Sequence, residues 1–204
     1  KEPTPEHDYV IGVDVSLGRE RDHSAFHIFN AYTGEQVAEF YSNKTPINEL
    51  AQILTSEANL YNNASVIIER NTIGNNLIDW MFNVMEYDNL WMDSKNNFGI
   101  QITSKNREEF LARMEEYIRN NFIKINSKRT VGELLTFIVN DNGKITADEG
   151  KHDDLIMSLS ITVFLLHTLA GSGPLEMLDD IPEEQKFMPP EPLRSVIHDS
   201  FERE

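Results

Sequence analysis

The stretch Tyr9-Val-Ile-Gly-Val-Asp-Val15 decides the fold, because it is a short apolar run, rich in β-branched residues, with one carboxylate inside it. Runs of this kind form strands that are buried on both faces of a sheet. The next two segments, 24–29 and 36–41, alternate between apolar and polar residues and flank a turn at 31–34. They predict a hairpin that extends the first strand into an antiparallel meander.

The rest of the chain alternates between strand and helix patterns. Further strands are predicted at 64–68 and 89–92, and a second hairpin pairs 134–139 with 144–146 around the turn 140–143. Helices are predicted at 46–62, 74–86, 103–121 and 153–169, with Ser104 as a candidate cap of the third. This order is typical of an α/β fold with a mixed sheet, an antiparallel meander plus parallel strands, and helices on both faces.

The composition excludes several classes of protein. The 204 residues include 34 acidic and 18 basic side chains, which gives a net charge of −16. The absence of cysteine excludes disulfide scaffolds, thiol nucleophiles and cysteine-ligated zinc, and suits a reducing cytosol. No run approaches the roughly 20 apolar residues of a membrane span, so no membrane partner is expected. The excess of acid also disfavours nucleic acid, whose phosphates attract Lys and Arg.

The charge is distributed unevenly along the chain. Residues 95–129 carry 8 of the 18 basic side chains, although an ordinary solvated helical surface explains this stretch as well as a binding site does. Residues 171–204 carry 9 acidic and 3 basic side chains and are rich in proline. We therefore predict one folded domain at 1–170 and an acidic, Pro-rich tail at 171–204.

Acidic residues stand at positions where a carboxylate is costly. Asp14 interrupts the first strand, and Glu69 directly follows a second buried strand. An unpaired carboxylate there needs a cation, a metal ion or a hydrogen-bonding network. Asp153 and Asp154 open the last predicted helix, where capping of the N-terminus is the ordinary explanation. Taken singly, each acid is explained by a salt bridge, a turn or a cap about as well as by a functional site.

Together the acids indicate a metal site, because strand ends and the first turn of a crossing helix can meet at one edge of a sheet. Converging carboxylates repel each other unless divalent cations neutralise them, and oxygen ligands without cysteine favour Mg²⁺ or Mn²⁺. Two such ions about 4 Å apart can activate a water and stabilise the leaving oxygen in phosphodiester cleavage. His152 is a candidate proton carrier or outer ligand, although a His beside acids is more often a hydrogen-bonded neighbour.

Three motifs resemble those of the ribonuclease-H-like nucleases in large terminases of tailed bacteriophages. Gly12-Val-Asp-Val-Ser-Leu-Gly18, followed by Asp22-His-Ser24, is similar to the first motif of that family. Val66-Ile-Ile-Glu-Arg-Asn-Thr-Ile-Gly74 is similar to the second, and Gly150-Lys-His-Asp-Asp-Leu-Ile-Met-Ser-Leu159 to the third and most specific one. The motifs occur in the order of the family over about residues 8–170, and the terminases of T-even-like phages are the most similar.

The resemblance implies a ribonuclease H-like fold and a Mg²⁺-dependent endonuclease, with Mn²⁺ as a substitute. Such an enzyme hydrolyses phosphodiester bonds of concatemeric viral double-stranded DNA during genome packaging. The resemblance further implies that Asp14, Glu69 and Asp154 are the catalytic acids and hold two metal ions, with water as the nucleophile. Asp153 is then an auxiliary or alternate metal ligand, and His152 is auxiliary.

The same resemblance also implies binding partners and a location in the host cell. The basic stretch becomes the predicted site of DNA contacts, at Lys105, Arg107, Arg113, Lys124, Lys128 and Arg129. The implied partners besides DNA are an ATPase domain of the same full-length protein, the portal protein and the small terminase subunit, at the procapsid portal in the host cell cytoplasm. The ATPase loop Gly-x-x-x-x-Gly-Lys-[Ser/Thr] does not occur, and the chain starts at Lys1, so we expect the isolated carboxyl-terminal nuclease domain.

Three alternatives remain open. A RuvC-like junction-resolving nuclease would use the same acids on a different DNA substrate. An actin-like sugar kinase or ATPase also has an Asp on its first strand, but it needs a Gly-rich phosphate loop, and residues 16–20 hold a single glycine. In a non-catalytic packaging or adaptor module, the acids would form only a solvated face.

Overall fold

A mixed four-stranded sheet forms the centre of the structure, a computed structural model that describes residues 1–16, 23–135, 137–139, 145–147 and 153–172. The strand order is β3-β2-β1-β4, with β1 at Tyr9–Asp14, β2 at Ser24–Asn30, β3 at Gln36–Ser42 and β4 at Ser65–Ile68. The strands β1, β2 and β3 pair antiparallel, and β4 pairs parallel to β1. The predicted meander and mixed sheet are confirmed.

Five α-helices are described around this sheet. They are α1 (Ile47–Leu60), α2 (Thr72–Asp79), α3 (Arg107–Arg119), α4 (Lys128–Leu134) and α5 (Asp154–His167). The helices α2 and α5 continue into π-helical turns at Trp80–Val84 and Thr168–Ser172, and a separate hairpin pairs β5 (Phe137–Val139) with β6 (Ile145–Ala147). None of these described helices is long and apolar enough to cross a membrane.

The central strand β1 separates two apolar cores. Ile11 and Val13 pack with residues of α1 and α2 on one face, whereas Val10 packs with residues of α3 and α5 on the other. Helices therefore cover both faces, as predicted. Because successive side chains of a strand point to opposite faces, Gly12 and Asp14 share the face that α5 covers.

Close packing of α5 on β1 depends on a glycine. A Cβ atom at Gly12 would overlap the backbone nitrogen, the Cα atom and the hydroxyl of Thr162 in α5. A buried histidine of β2 also joins the two layers, because Nε2 of His27 donates a hydrogen bond to the carbonyl oxygen of Leu155 at 3.0 Å. Burial lowers the pKa of His27 to about 4, so this contact is made by a neutral ring.

Four predicted elements differ from the structure. The strand predicted at 134–139 begins at Phe137, because Leu134 is the last residue of α4. The helix predicted at 74–86 is the α-helix α2 followed by a π-helical turn. The strand predicted at 89–92 is reduced to single bridges at Leu90 and Met92, because a turn closed by the carboxylate of Asp93 bends the chain away. The third helix begins at Arg107, so Ser104 does not cap it.

The short helix α4 was not predicted. Its only local signal is Ser127, whose hydroxyl accepts hydrogen bonds from the N–H groups of Arg129 and Thr130. The predicted turn at 140–143, His152 and the predicted tail from residue 173 onward lie outside the described residues. The division into a domain at 1–170 and a tail stays a prediction.

Candidate functional site

The carboxyl ends of the two parallel strands bring Asp14 and Glu69 together. Asp14 is the last residue of β1, and the N–H of Glu69 donates a hydrogen bond to the carbonyl oxygen of Val13 at 2.9 Å. The two carboxyl groups are close enough to act on each other. Burial, followed by the charge of Glu69, raises the pKa of Asp14 well above its usual range. Such a pair needs a proton or a cation between its members.

The residues that follow Glu69 hold this carboxylate in place. Asn71 caps α2, because its Oδ1 atom accepts hydrogen bonds from the N–H groups of Ile73 at 3.0 Å and Gly74 at 2.8 Å. The Nδ2 atom of Asn71 donates to the carbonyl oxygen of Val15 at 3.1 Å and to Oε2 of Glu69 at 3.4 Å. A Cβ atom at Gly74 would overlap the carbonyl oxygen of Glu69. The Glu-x-Asn-x-x-Gly spacing of the second motif therefore has a geometric reason.

The first turn of α5 brings two more carboxylates to the same edge. After burial and Glu69, the charges of Asp154 and Asp153 also raise the pKa of Asp14. The nearly buried Asp154 accepts a hydrogen bond from the N–H of His23 at 3.3 Å. Asp153 stands at the cap position, but its side chain caps no backbone amide and instead lies 2.5 Å from Nη2 of Arg107. Capping therefore does not explain Asp153.

Glu133 of α4 is a further acid at this edge that sequence reasoning missed. Its Oε1 atom accepts a hydrogen bond from the N–H of Ile156 at 3.1 Å, so it caps α5 from a neighbouring helix. Burial, aided by the charge of Asp154 and opposed by the bond from Ile156, raises the pKa of Glu133 to about 7. Nothing in the local sequence pattern indicates this contact, because it depends on how α4 packs on α5.

An aromatic pair flanks Asp154. The ring of His23 stacks on that of Tyr41, with centroids 4.1 Å apart and planes 9° apart, and its Nδ1 atom lies 3.6 Å from Oδ2 of Asp154. The strand register places Tyr41 and Asp14 in one row across β3, β2 and β1, so both lie on the face covered by α5. His23 belongs to the first motif but had no predicted role, and Tyr41 had no sequence signal.

Four of the predicted DNA-contacting cations belong to segments near this edge. Arg107 is bound to Asp153, and the guanidinium of Arg129 lies 5.0 Å from the ring centroid of Tyr41. Lys105 is exposed and precedes Arg107 by two residues, and Lys128 is exposed and directly precedes Arg129. Contact of this group with DNA stays a prediction.

The other two predicted cations are placed elsewhere. Lys124 lies 3.1 Å from the carboxylate of Glu35, beside the β2–β3 turn and therefore at the end of the sheet opposite to Asp14. The half-buried Arg113 donates a hydrogen bond to Nε2 of His167 at 2.7 Å. The six cations are thus not brought to one end of the sheet, and a DNA contact of Lys124 or Arg113 also stays a prediction.

The carboxylates fit a hard divalent cation by their chemistry. Within the part of the chain that the structure describes, no three His, Asp or Glu side chains are already arranged to bind a metal ion. Among the four acids, Asp153 is paired with Arg107. The donor set consists of oxygen atoms, which Mg²⁺ and Mn²⁺ prefer.

Several solved structures share this architecture. The large terminase nuclease of the thermophilic phage G20c, with bound cobalt or magnesium, is 20% identical, with a TM-score of 0.67 over 80% of this chain and 84% of that one. The fold is that of phage large terminase nucleases. The Thermus phage P74-26 domain has a TM-score of 0.64 at 20% identity, over 80% of this chain and 82% of its own.

A more distant structure has the same fold. The large terminase nuclease domain of bacteriophage SPP1, with bound Mn, has a TM-score of 0.50 at 16% identity, over 76% of this chain and 84% of its own. No protein-family profile matches the sequence. At these identities the likeness establishes the ribonuclease H-like fold, which confirms the predicted fold class.

Proposed function

We propose that this chain is a divalent-metal-dependent DNA endonuclease, the nuclease domain of a terminase large subunit that cuts concatemeric viral DNA during packaging. The observation that carries the proposal is the convergence of four carboxyl groups from β1, β4 and α5 at one edge of the sheet. The metal ligands in this proposal are Asp14, Glu69 and Asp154, with Asp153 as a further ligand. The likeness to large terminase nucleases, two of them with bound Mg or Mn, supports the proposal.

The chain itself contributes the positioning of these ligands. Adjacent strand ends hold Asp14 beside Glu69, Asn71 orients Glu69, and the first turn of α5 supplies Asp154. Two bound Mg²⁺ or Mn²⁺ ions would activate a water and stabilise the leaving oxygen of the phosphodiester. With water as the nucleophile, no covalent intermediate forms on the protein.

The proposed substrate and partners follow from the packaging role. We place the first DNA contacts at the cations nearest the acids, Arg107, Arg129, Lys105 and Lys128. A net charge of −16 favours weak intrinsic binding of duplex DNA. An ATPase domain of the same protein, the portal protein and the small terminase subunit would then hold the DNA, at the procapsid portal in the host cytoplasm.

Cleavage of plasmid DNA with Mg²⁺, compared with the same reaction in EDTA, tests the proposed chemistry. Asp14→Asn, Glu69→Gln and Asp154→Asn should each slow cleavage by more than about 100-fold, because each removes a ligand from the site. The control Glu115→Gln, which changes an exposed acid of α3, should cut like the parent. Thermal unfolding of each variant verifies that it folds. Asp14→Asn and Glu69→Gln proteins that cut as fast as the parent would refute the assignment.

A second substrate separates the proposal from its alternatives. The parent protein is given a linear duplex and a four-way junction under the same conditions. Cleavage of the linear duplex at least as fast as the junction supports a packaging nuclease. A strong preference for the junction indicates a RuvC-like resolving enzyme instead. Absence of metal-dependent cleavage on either substrate indicates a non-catalytic module.

A further inference from the structure

Arg107 binds one of the acids of the proposed site. It is the first residue of α3, and its Nη2 atom donates a hydrogen bond to Oδ2 of Asp153 at 2.5 Å. The pair is partly shielded from water, since the two side chains are 27% and 40% exposed. Asp153 directly precedes Asp154, so this ion pair joins α3 to the acidic edge.

The position of the guanidinium is fixed by packing. Phe110 and Met114 of α3 are buried in the same apolar core as Leu159 and Phe164 of α5. The start of α3 therefore lies beside the start of α5, which keeps the Arg107 side chain within hydrogen-bonding distance of Asp153. The charge-assisted hydrogen bond holds Oδ2 of Asp153 towards Arg107, so a cation that draws this carboxylate towards the other acids has to compete with the guanidinium for it.

Arg107 and a divalent cation thus compete for the same carboxylate. Among the described residues no ready-made set of three metal-binding acids or histidines exists, and the Arg107–Asp153 pair removes one acid from any such set. An ordinary ion pair between helices would affect only the stability of the fold. A competing ion pair would also affect the affinity for metal.

We propose that Arg107 is a positioning residue that lowers the metal affinity of the site by holding the carboxylate of Asp153 away from it. The proposal rests on the proposed function, because it takes Asp153 as a metal ligand. Metal ions at low concentration then leave the acids bound to protein groups. At higher concentration a metal ion displaces the guanidinium, and Arg107 sets the concentration at which this occurs.

Calorimetric titration with Mn²⁺ tests this proposal through binding rather than activity. The Arg107→Gln protein should bind Mn²⁺ about fivefold more tightly than the parent, the factor expected for release of a partly exposed ion pair. Arg107→Lys keeps the charge without the planar fork and should lie between the two. Arg119→Gln, at the other end of α3, removes an exposed arginine paired with Glu115 and should leave the affinity unchanged.

A double-mutant cycle separates competition for Asp153 from a general effect of charge. In the Asp153→Asn background, Arg107→Gln should no longer tighten Mn²⁺ binding. An equal gain in that background, or no gain with Asp153 present, overturns the proposal. Thermal unfolding in EDTA verifies that each variant folds, and Arg107→Lys supplies the comparison if Arg107→Gln does not fold.

The titration also distinguishes this proposal from the proposed function. If Asp14→Asn abolishes Mn²⁺ binding while Arg107→Gln has no effect, only the role of Arg107 is refuted. If the parent binds no Mn²⁺, or if Asp14→Asn binds it as the parent does, the metal site itself is refuted and the role of Arg107 with it.

Discussion

Replacing Gly12 with alanine tests whether close packing of α5 on β1 builds the acidic edge. The added Cβ atom would overlap the backbone nitrogen, Cα and hydroxyl of Thr162. The hydroxyl of Thr162 already donates to the carbonyl oxygen of Ser158 at 2.7 Å, and the other two atoms belong to the helix backbone. The overlap is therefore relieved only by moving α5, which carries Asp154 about two turns away.

The expected loss of stability is moderate. Overpacking of a well-packed core costs about 1–3 kcal/mol, and backbone atoms on the receiving side favour the upper part of that range. Alanine regains about 0.5–1 kcal/mol over glycine within a strand, which leaves a net loss of about 2 kcal/mol. For a chain of this size, that loss lowers the melting temperature by roughly 4–8 °C.

The measurement combines unfolding in EDTA with Mn²⁺ titration. The Gly12→Ala protein should unfold at lower temperature and bind Mn²⁺ more weakly, because a shifted α5 carries Asp154 away from Asp14. Gly132→Ala is the matched control, since no atom lies within 4 Å of its added Cβ. This change in α4 should stabilise the protein by up to about 1 kcal/mol and leave Mn²⁺ binding unchanged. Equal unfolding temperature and equal Mn²⁺ affinity for Gly12→Ala and the parent would refute the reasoning.

Three further outcomes are expected. Burial and Arg113 lower the pKa of His167 to about 3, so the folded protein binds fewer protons there than the unfolded chain. The stability that the neutral His167 ring contributes is therefore complete above about pH 6.5 and is lost as the pH falls towards 3. In urea unfolding over that pH range, the free energy of unfolding of the parent should fall by about 1.4 kcal/mol per pH unit more than that of His167→Gln. Equal slopes of unfolding free energy against pH would contradict this. Asn71→Ala should lower the free energy of unfolding by about 1 kcal/mol, because it removes the side-chain cap of α2. Asn71→Ser retains a capping oxygen and should lose less. Equal losses for the two variants would mean that the cap contributes nothing. Arg129→Gln should reduce the slope of the logarithm of the duplex-binding constant against the logarithm of salt concentration by about 0.9, and Lys124→Gln should reduce it by less. Equal reductions would mean that the DNA-binding surface extends to the far end of the sheet.

The elements of the fold could be predicted because their signals are local. The apolar run of β1, the turn between β2 and β3 and the apolar stripe of α1 are patterns that a single sequence displays. The helix α4 was missed because it is short, spanning Lys128–Leu134, and apolar Val131 in it and Leu135 just after it are exposed. The strand expected at 89–92 has the right composition but is cut short by the local turn over residues 93–97.

The placement of the candidate acids at one edge of the sheet could be predicted because strand ends and a helix start mark their positions in the chain, whereas their role stays a prediction. Asp14, Glu69 and Asp154 meet because β1 and β4 are parallel neighbours and α5 crosses β1. The contacts of Glu133 and His23 could not be predicted, because they depend on how α4 packs on α5 and where the first loop returns to the sheet. These contacts involve pairs of residues far apart in sequence, and no local pattern encodes them.

The excess of acidic residues in the sequence argues against a nucleic-acid partner. In the structure, four of these acids lie together at one edge of the sheet. A phosphodiester that approached four converging carboxyl groups without a cation would be repelled, so the proposed chemistry requires the metal before or together with the DNA. The guanidinium of Arg107 lies at that same edge and offsets the charge of one of these acids, Asp153. A protein with so acidic an edge is therefore suited to DNA only when divalent cations are bound there. Under the proposed function, dependence on metal for binding as well as for cleavage would make a net charge of −16 compatible with a DNA substrate.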